Sequence, residues 1–148
     1  MVIEKWIHTN KKSIILVYCK MVSKISEGVI ISVETFYQSS ESDPMNQQFL
    51  FSYRITIENK NPFSIQLLRR HWFIYDSNGF VKEVEGEGVV GIQPLIHTNE
   101  SFQYVSACCL QTELGKMEGT YLLQNQNNKK NFSVLIPSFI LQAPSKLN

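Results

Sequence analysis

The chain has 148 residues, enough for one domain that buries its own core without a disulfide or metal staple. Hydrophobic residues make up 43% and charged residues 18%, which excludes a collagen, a coiled coil and a fully disordered chain. The net charge of +1 carries no global nucleic-acid or membrane signature, and it is a cancellation: residues 1–27 hold +3 and residues 28–148 hold −2.

Lys11 and Lys12 precede an apolar run from Ser13 to Cys19. That run is at the short limit for an export signal, and no small-x-small cleavage site follows it. Tyr18 is too bulky for the position before a lipoprotein cysteine. No run approaches the ~20 apolar residues that span a bilayer. Met21 offers an alternative start. The expected organisation is a basic, weakly ordered extension over residues 1–25, followed by one domain over residues 26–148. Lys11 to Ser23 is the best helical stretch, and its β-branched residues argue against a helix.

The dominant period beyond it is two. Val29, Ile31 and Val33 alternate with Ile30, Ser32 and Glu34. After a turn-rich loop from Ser39 to Pro44, the residues Phe49, Phe51, Tyr53, Ile55 and Ile57 alternate with mostly polar neighbours. Asn59 to Pro62 breaks the chain. A strand is expected over about Ile65 to Tyr75, closed by Asp76-Ser-Asn-Gly79, where Gly79 suits a positive φ. Phe80 to Val84 is its partner. Phe102 to Cys108, Gly119 to Leu123 and Phe132 to Leu141 supply three more strands. Asn127-Asn128 is available for a left-handed turn in the hairpin loop from Asn125 to Asn131. About seven or more short antiparallel strands, with turns every 8–12 residues, point to an all-β sandwich in which Trp72 anchors the core.

The cysteines are Cys19, Cys108 and Cys109, with no CxxC spacing for zinc or thioredoxin chemistry. Free thiols fit a reducing cytosol. Adjacent residues in a strand point to opposite faces, so Cys108 and Cys109 are poorly placed to bridge, and one of them is expected to be a small core hydrophobe. His8, His71 and His97 show no metal-ligand spacing. Cys108 or Cys109 with His71 is the only nucleophile and base pair on offer.

Gly86, Gly88 and Gly91 spell G-x-G-x-x-G. Pro94 follows closely, so no helix opens and the dinucleotide-binding context fails. Two readings remain. The amides form an anion-binding nest, opposed by Glu85 and Glu87 unless Arg69, Arg70 and Lys82 compensate; or the glycines serve a bulge where the chain changes sheet. In Arg69-Arg70-His71-Trp72, alternation puts Arg70 with Trp72 and Arg69 with His71. If Trp72 is core, Arg70 must reach an edge or pair with a carboxylate. Arg69 and His71 either read an anion or form a solvated strand face.

Several blocks, in one order, resemble the ApaG domain family: Phe51-Ser-Tyr-Arg-Ile-Thr-Ile-Glu-Asn59, Gln66-Leu-Leu-Arg-Arg-His-Trp72, Asp76-Ser-Asn-Gly79 and Val84-Glu-Gly-Glu-Gly-Val-Val-Gly-Ile-Gln-Pro94. Glu100 to Tyr104, Gly115 to Tyr121 and Phe132 to Phe139 continue the match, which covers about residues 26–142. The resemblance implies an immunoglobulin- or fibronectin-III-like sandwich with no established enzyme activity and a genetic association with cobalt tolerance and magnesium efflux. Similar domains in eukaryotic F-box proteins and in a polymerase-interacting protein bind other proteins. The chain departs in carrying residues 1–25 ahead of the usual start, and Ala107-Cys-Cys109 where a glycine-cysteine pattern is common.

The expectation is therefore a non-enzymatic, cytoplasmic binding module that takes an unidentified protein partner or forms a homo-oligomer. It uses no cofactor, metal, nucleic acid or membrane span. The alternative is a pyrophosphate or nucleotide binder using Gly86, Gly88 and Gly91 with Arg69, Arg70 and His71. Direct ion transport is excluded, because a chain without a span cannot carry ions across a bilayer.

Overall fold

The structure is a computed structural model that describes residues 2–8 and 14–144, with side chains from Lys20 to Pro144. In chain order the strands are β1 (Val2–His8), β2 (Ile14–Ser26), β3 (Val29–Tyr37), β4 (Phe49–Asn59), β5 (Ile65–Asp76), β6 (Val81–Glu87), β7 (Leu95–Ile96), β8 (Ser101–Leu110), β9 (Leu114–Asn125) and β10 (Asn131–Gln142). One sheet has the order β1-β2-β3-β4-β8 and the other β10-β9-β5-β6, with β7 pairing the start of β5. Every pairing is antiparallel. The two sheets bury a common core, so the expected β-sandwich is the observed one.

The period of two explains the layers. In β4, Phe49, Phe51, Tyr53, Ile55 and Ile57 are buried while the residues between them are half-buried. In β3, Val29, Ile31 and Val33 are fully buried. Trp72 is 3% exposed and meets Tyr53, Tyr121 and Phe139 with ring centroids 5.8, 6.2 and 5.9 Å away, so it is the core anchor its position predicts. Asn59, where the chain breaks after β4, is fully buried, and its amide donates to the carbonyls of Phe63 (2.8 Å) and Ile96 (3.1 Å).

The β-branched stretch after Ser13 is strand β2, whose residues Lys20 to Ser26 pair with β3. Positions 25 and 26 both lie within this strand. The side chains of most of the expected extension, Cys19 among them, lie outside the described residues. One turn differs from expectation. Between β9 and β10 the left-handed residue is Lys129 (φ 59), not Asn127 or Asn128. The asparagines act as acceptors instead: Asn125 Oδ1 takes the amide of Asn127 (2.8 Å) and Asn128 Oδ1 that of Lys130 (2.9 Å), which moves the left-handed step to the residue between.

Two bulges shape the second sheet. In β10 the ladder shifts between Ile136 and Phe139, where Pro137 sits in an edge strand and needs no ladder hydrogen bond. In β5 the ladder to β9 shifts between Leu67 and Arg69. Strict alternation from Ile65 and Leu67 would turn Arg69, His71 and Phe73 inward. Leu68, the extra residue, re-phases the strand so that Arg70, Trp72 and Ile74 take the inner face.

Candidate functional site

Strands β6 and β8 are the free edges of the two sheets on the same side of the sandwich. They do not close on each other, and a cleft of about 740 Å³ lies between them. The cause is local. The register with β5 sets Lys82, Val84 and Gly86 of β6 opposite Ile74, Trp72 and Arg70, so its inner face offers one apolar side chain. Trp72 and Met117 from one sheet and Tyr53 and Tyr104 from the other line the cleft, and Phe80 and Val90, each 56% exposed, form part of its rim.

Arg70 reaches this cleft because of the β5 bulge. Its Nη1 donates to the carbonyls of Glu87 and Gly88, both at 2.9 Å. The guanidinium occupies the space beside Gly86, where an added Cβ would lie 3.0 Å from both terminal nitrogens. The inward cation thus takes backbone carbonyls rather than the expected carboxylate, and it makes no ion pair among the described residues. Three phenols lie within range of its charge. Burial raises the pKa of Tyr53, Tyr104 and Tyr121, and Arg70 pulls each back down. The hydroxyls of Tyr104 and Tyr121 bond each other, and Ser106 bonds Tyr53. Asp76 also lines the cleft, but its carboxylate already accepts from the Gln111 amide (2.6 Å) and the Thr112 hydroxyl. Burial pushes the Cys108 thiol up to about 11, as suits the small core hydrophobe expected of one cysteine; Cys109 is exposed.

The glycine segment is a turn fitted to the bulge. The Gly88 amide donates to the Leu68 carbonyl (2.8 Å), which also accepts from Gln93 Nε2 (3.0 Å). Val89 and Ile92 exchange both backbone hydrogen bonds, at 2.8 and 3.0 Å. Val90 (φ 45) and Gly91 (φ 81) between them are both left-handed, as a two-residue hairpin turn of the primed kind requires. Gly88 (φ 59) has the Ile92 carbonyl against it, only 2.0 Å from where a Cβ would stand. The amides of Gly88, Val89 and Ile92 are spent on these bonds and do not converge outward as a nest. The expected bulge at a change of sheet is instead this hairpin, and the chain changes sheet later, between β7 and β8.

The six residues singled out in the sequence do not share one site, although Arg69, Arg70 and His71 together border a second, smaller hollow of about 160 Å³. Arg70 and Gly91 line the cleft, Gly86 makes room for Arg70, and Gly88 secures the turn. Arg69 and His71 lie on the other face of β5. There His71 Nε2 meets Glu83 at 2.6 Å and Nδ1 meets Glu85 at 3.5 Å, and Arg69 stands opposite Glu87 in the ladder. His71 and Cys108 are consequently on different faces, and no nucleophile–base pair forms between them. Ser64 Oγ and His97 Nδ1, a contact the sequence did not suggest, lie 2.8 Å apart outside the cleft. Among the described residues no group of three or more His, Cys, Asp or Glu side chains is placed to hold a metal ion, and no helix is long and apolar enough to cross a membrane. Lys82, expected beside the glycine loop, lines the cleft; Tyr53 and Tyr104, which also line it, were not legible as a site.

The family model for the ApaG domain matches residues 39–125. The protein ApaG of Pectobacterium carotovorum is 44% identical over 120 residues, which span 81% of this chain and 95% of that protein. The protein ApaG of Chromohalobacter salexigens is 42% identical over 127 residues, 86% of this chain and 100% of that protein. A crystal structure described as an ApaA protein from Bordetella pertussis has a TM-score of 0.76 at 41% identity, covering 80% of this chain and 95% of that one.

Proposed function

The chain belongs to the ApaG domain family, and from that premise we propose that it is a non-catalytic binding module that engages a protein partner along the open side of its sandwich. The observation that carries this reading is the pair of free strand edges, β6 and β8, flanking an apolar-rimmed cleft. Val81 and Val105 on these strands, Phe80 just before β6 and Val90 in the glycine turn are each more than half exposed. A free edge offers unpaired backbone donors and acceptors to an incoming strand, and exposed apolar side chains beside it supply the burial that holds one. Glu83, Glu85 and Glu87 on the outer face of β6 discourage indiscriminate edge pairing, so a specific partner must match them. The free thiols Cys108 and Cys109 support a reducing compartment such as the cytoplasm. An influence on cobalt tolerance or magnesium efflux would then pass through the partner.

The test is affinity capture from a bacterial lysate at low salt with the wild-type chain and with Val81→Lys and Val105→Lys. A partner retained by the wild type and lost from an edge variant supports the reading. Capture that is identical for all three chains counts against it. Calorimetry with pyrophosphate and ATP addresses the nucleotide alternative, against which it counts that the amides of Gly88, Val89 and Ile92 are already bonded to backbone carbonyls. Saturable heat at millimolar ligand would restore that alternative.

A further inference from the structure

We propose that the cleft between β6 and β8 is a binding site for a small amphipathic carboxylate, an anionic head on an aryl or acyl body. This goes beyond the partner reading and stands without it, since the cleft interior can take a ligand whether or not the strand edges take a partner.

Three observations fix the chemistry. The first is size and lining. A cleft of about 740 Å³, with Trp72, Met117, Tyr53 and Tyr104 in its walls and polar groups among them, has the volume and mixed lining of a site for a small amphipathic molecule. The second is charge. Arg70 and Lys82 both line the cleft and neither forms an ion pair among the described residues. Both oxygens of the one carboxylate in the lining, that of Asp76, are already bonded to Gln111 and Thr112. The glutamates of β6 that could neutralise the cations stand opposite Arg69, His71 and Phe73 on the outer face. The third is donor geometry. Arg70 spends only Nη1 on the Glu87 and Gly88 carbonyls, which leaves Nε and Nη2 without an acceptor among the described residues. A guanidinium held half-buried by its own turn, with donors to spare, is matched by a planar carboxylate. A polyphosphate fits less well, because it would need more cations than the two in the lining, and the amides of Gly88, Val89 and Ile92 are already bonded to backbone carbonyls.

The probe is 3-phenylpropionate, compared with 3-phenylpropanol and 3-phenylpropylamine, which share its body and differ in the head. Binding is read by Trp72 fluorescence in a Trp6→Phe background, which leaves one tryptophan, and by the shift in melting temperature. The expected result is saturable binding of the acid, with the alcohol and the amine at least about tenfold weaker, the size of one charge-assisted hydrogen bond. Arg70→Gln and Lys82→Gln should each weaken the acid by roughly the same factor and leave the alcohol unchanged. Lys82→Gln decides the matter if Arg70→Gln fails to fold, because Lys82 secures no backbone carbonyl. The proposal is overturned if the acid does not bind, if the alcohol binds as well as the acid, or if the folded variants bind the acid as the wild type does.

Discussion

Along one side of the sandwich, β10 packs over β2 and β3; along the other, β6 and β8 stand apart over a cleft. Both sides end in edge strands of similar backbone, so the difference lies in what each edge sends inward. From β10 come Val134, Ile136, Phe139 and Leu141, all buried. From β6 come Lys82, Val84 and Gly86. Four apolar side chains draw the sheets together, whereas one apolar side chain between a glycine and a lysine leaves a gap for something else to fill.

The sharpest way to break this contrast is to remove one apolar group from each side. Phe139→Ala on the closed side should cost about 3–5 kcal/mol in urea unfolding, against about 1 kcal/mol for Val84→Ala on the open side. Equal losses would mean that the cleft side is packed as tightly as the other. Next in size is the turn that frames the cleft. Gly88→Ala sets a Cβ against the Ile92 carbonyl in a left-handed residue and should cost about 3 kcal/mol, read as a fall in melting temperature. An unchanged melting temperature would show that the turn is not held against the bulge.

A pH titration separates the open side again. Burial pushes the folded Cys108 thiol up to about 11, from an ordinary value of 9.0. Its contribution is therefore fully present below pH 9 and is lost as pH rises from 9 toward 11. The expected loss over that window is about 1–2 kcal/mol, and Cys108→Ser should remove the part that begins below pH 10, before the buried tyrosines contribute. A profile that is the same with and without the thiol would contradict this. The smallest effect runs in the opposite direction. Val90 is a β-branched residue held at positive φ, and Val90→Asn should raise stability by about 0.5–1 kcal/mol by creating the Asn-Gly pair that such a turn favours. A loss on this substitution would show that the valine packs at the rim more than its exposure suggests.

The layers of the fold were legible because each strand announces its faces by alternation. Phe49 to Ile57 needs no partner to reveal which side is buried. The glycine motif pointed to a nest or a bulge and is a hairpin turn, because amide direction depends on what lies across the ladder. Here that is the Leu68 carbonyl and Ile92. The separation of Arg69 from Arg70 followed from alternation alone. The cleft did not, since it exists only where strands from different sheets, β6 and β8, come to rest beside each other, and no local pattern encodes that adjacency.

The extra residue in β5 has a consequence for how this chain can vary. Leu68 could be lost without disturbing which way Trp72 faces, because the residues after it would resume the ladder from Leu67. What would go is the carbonyl that holds the Gly88 amide and the Gln93 side chain. The glycine would then have no bond to make, and the turn no anchor. The length of one strand and the identity of a residue twenty positions later are thus a single inherited character, and relatives should gain or lose them together.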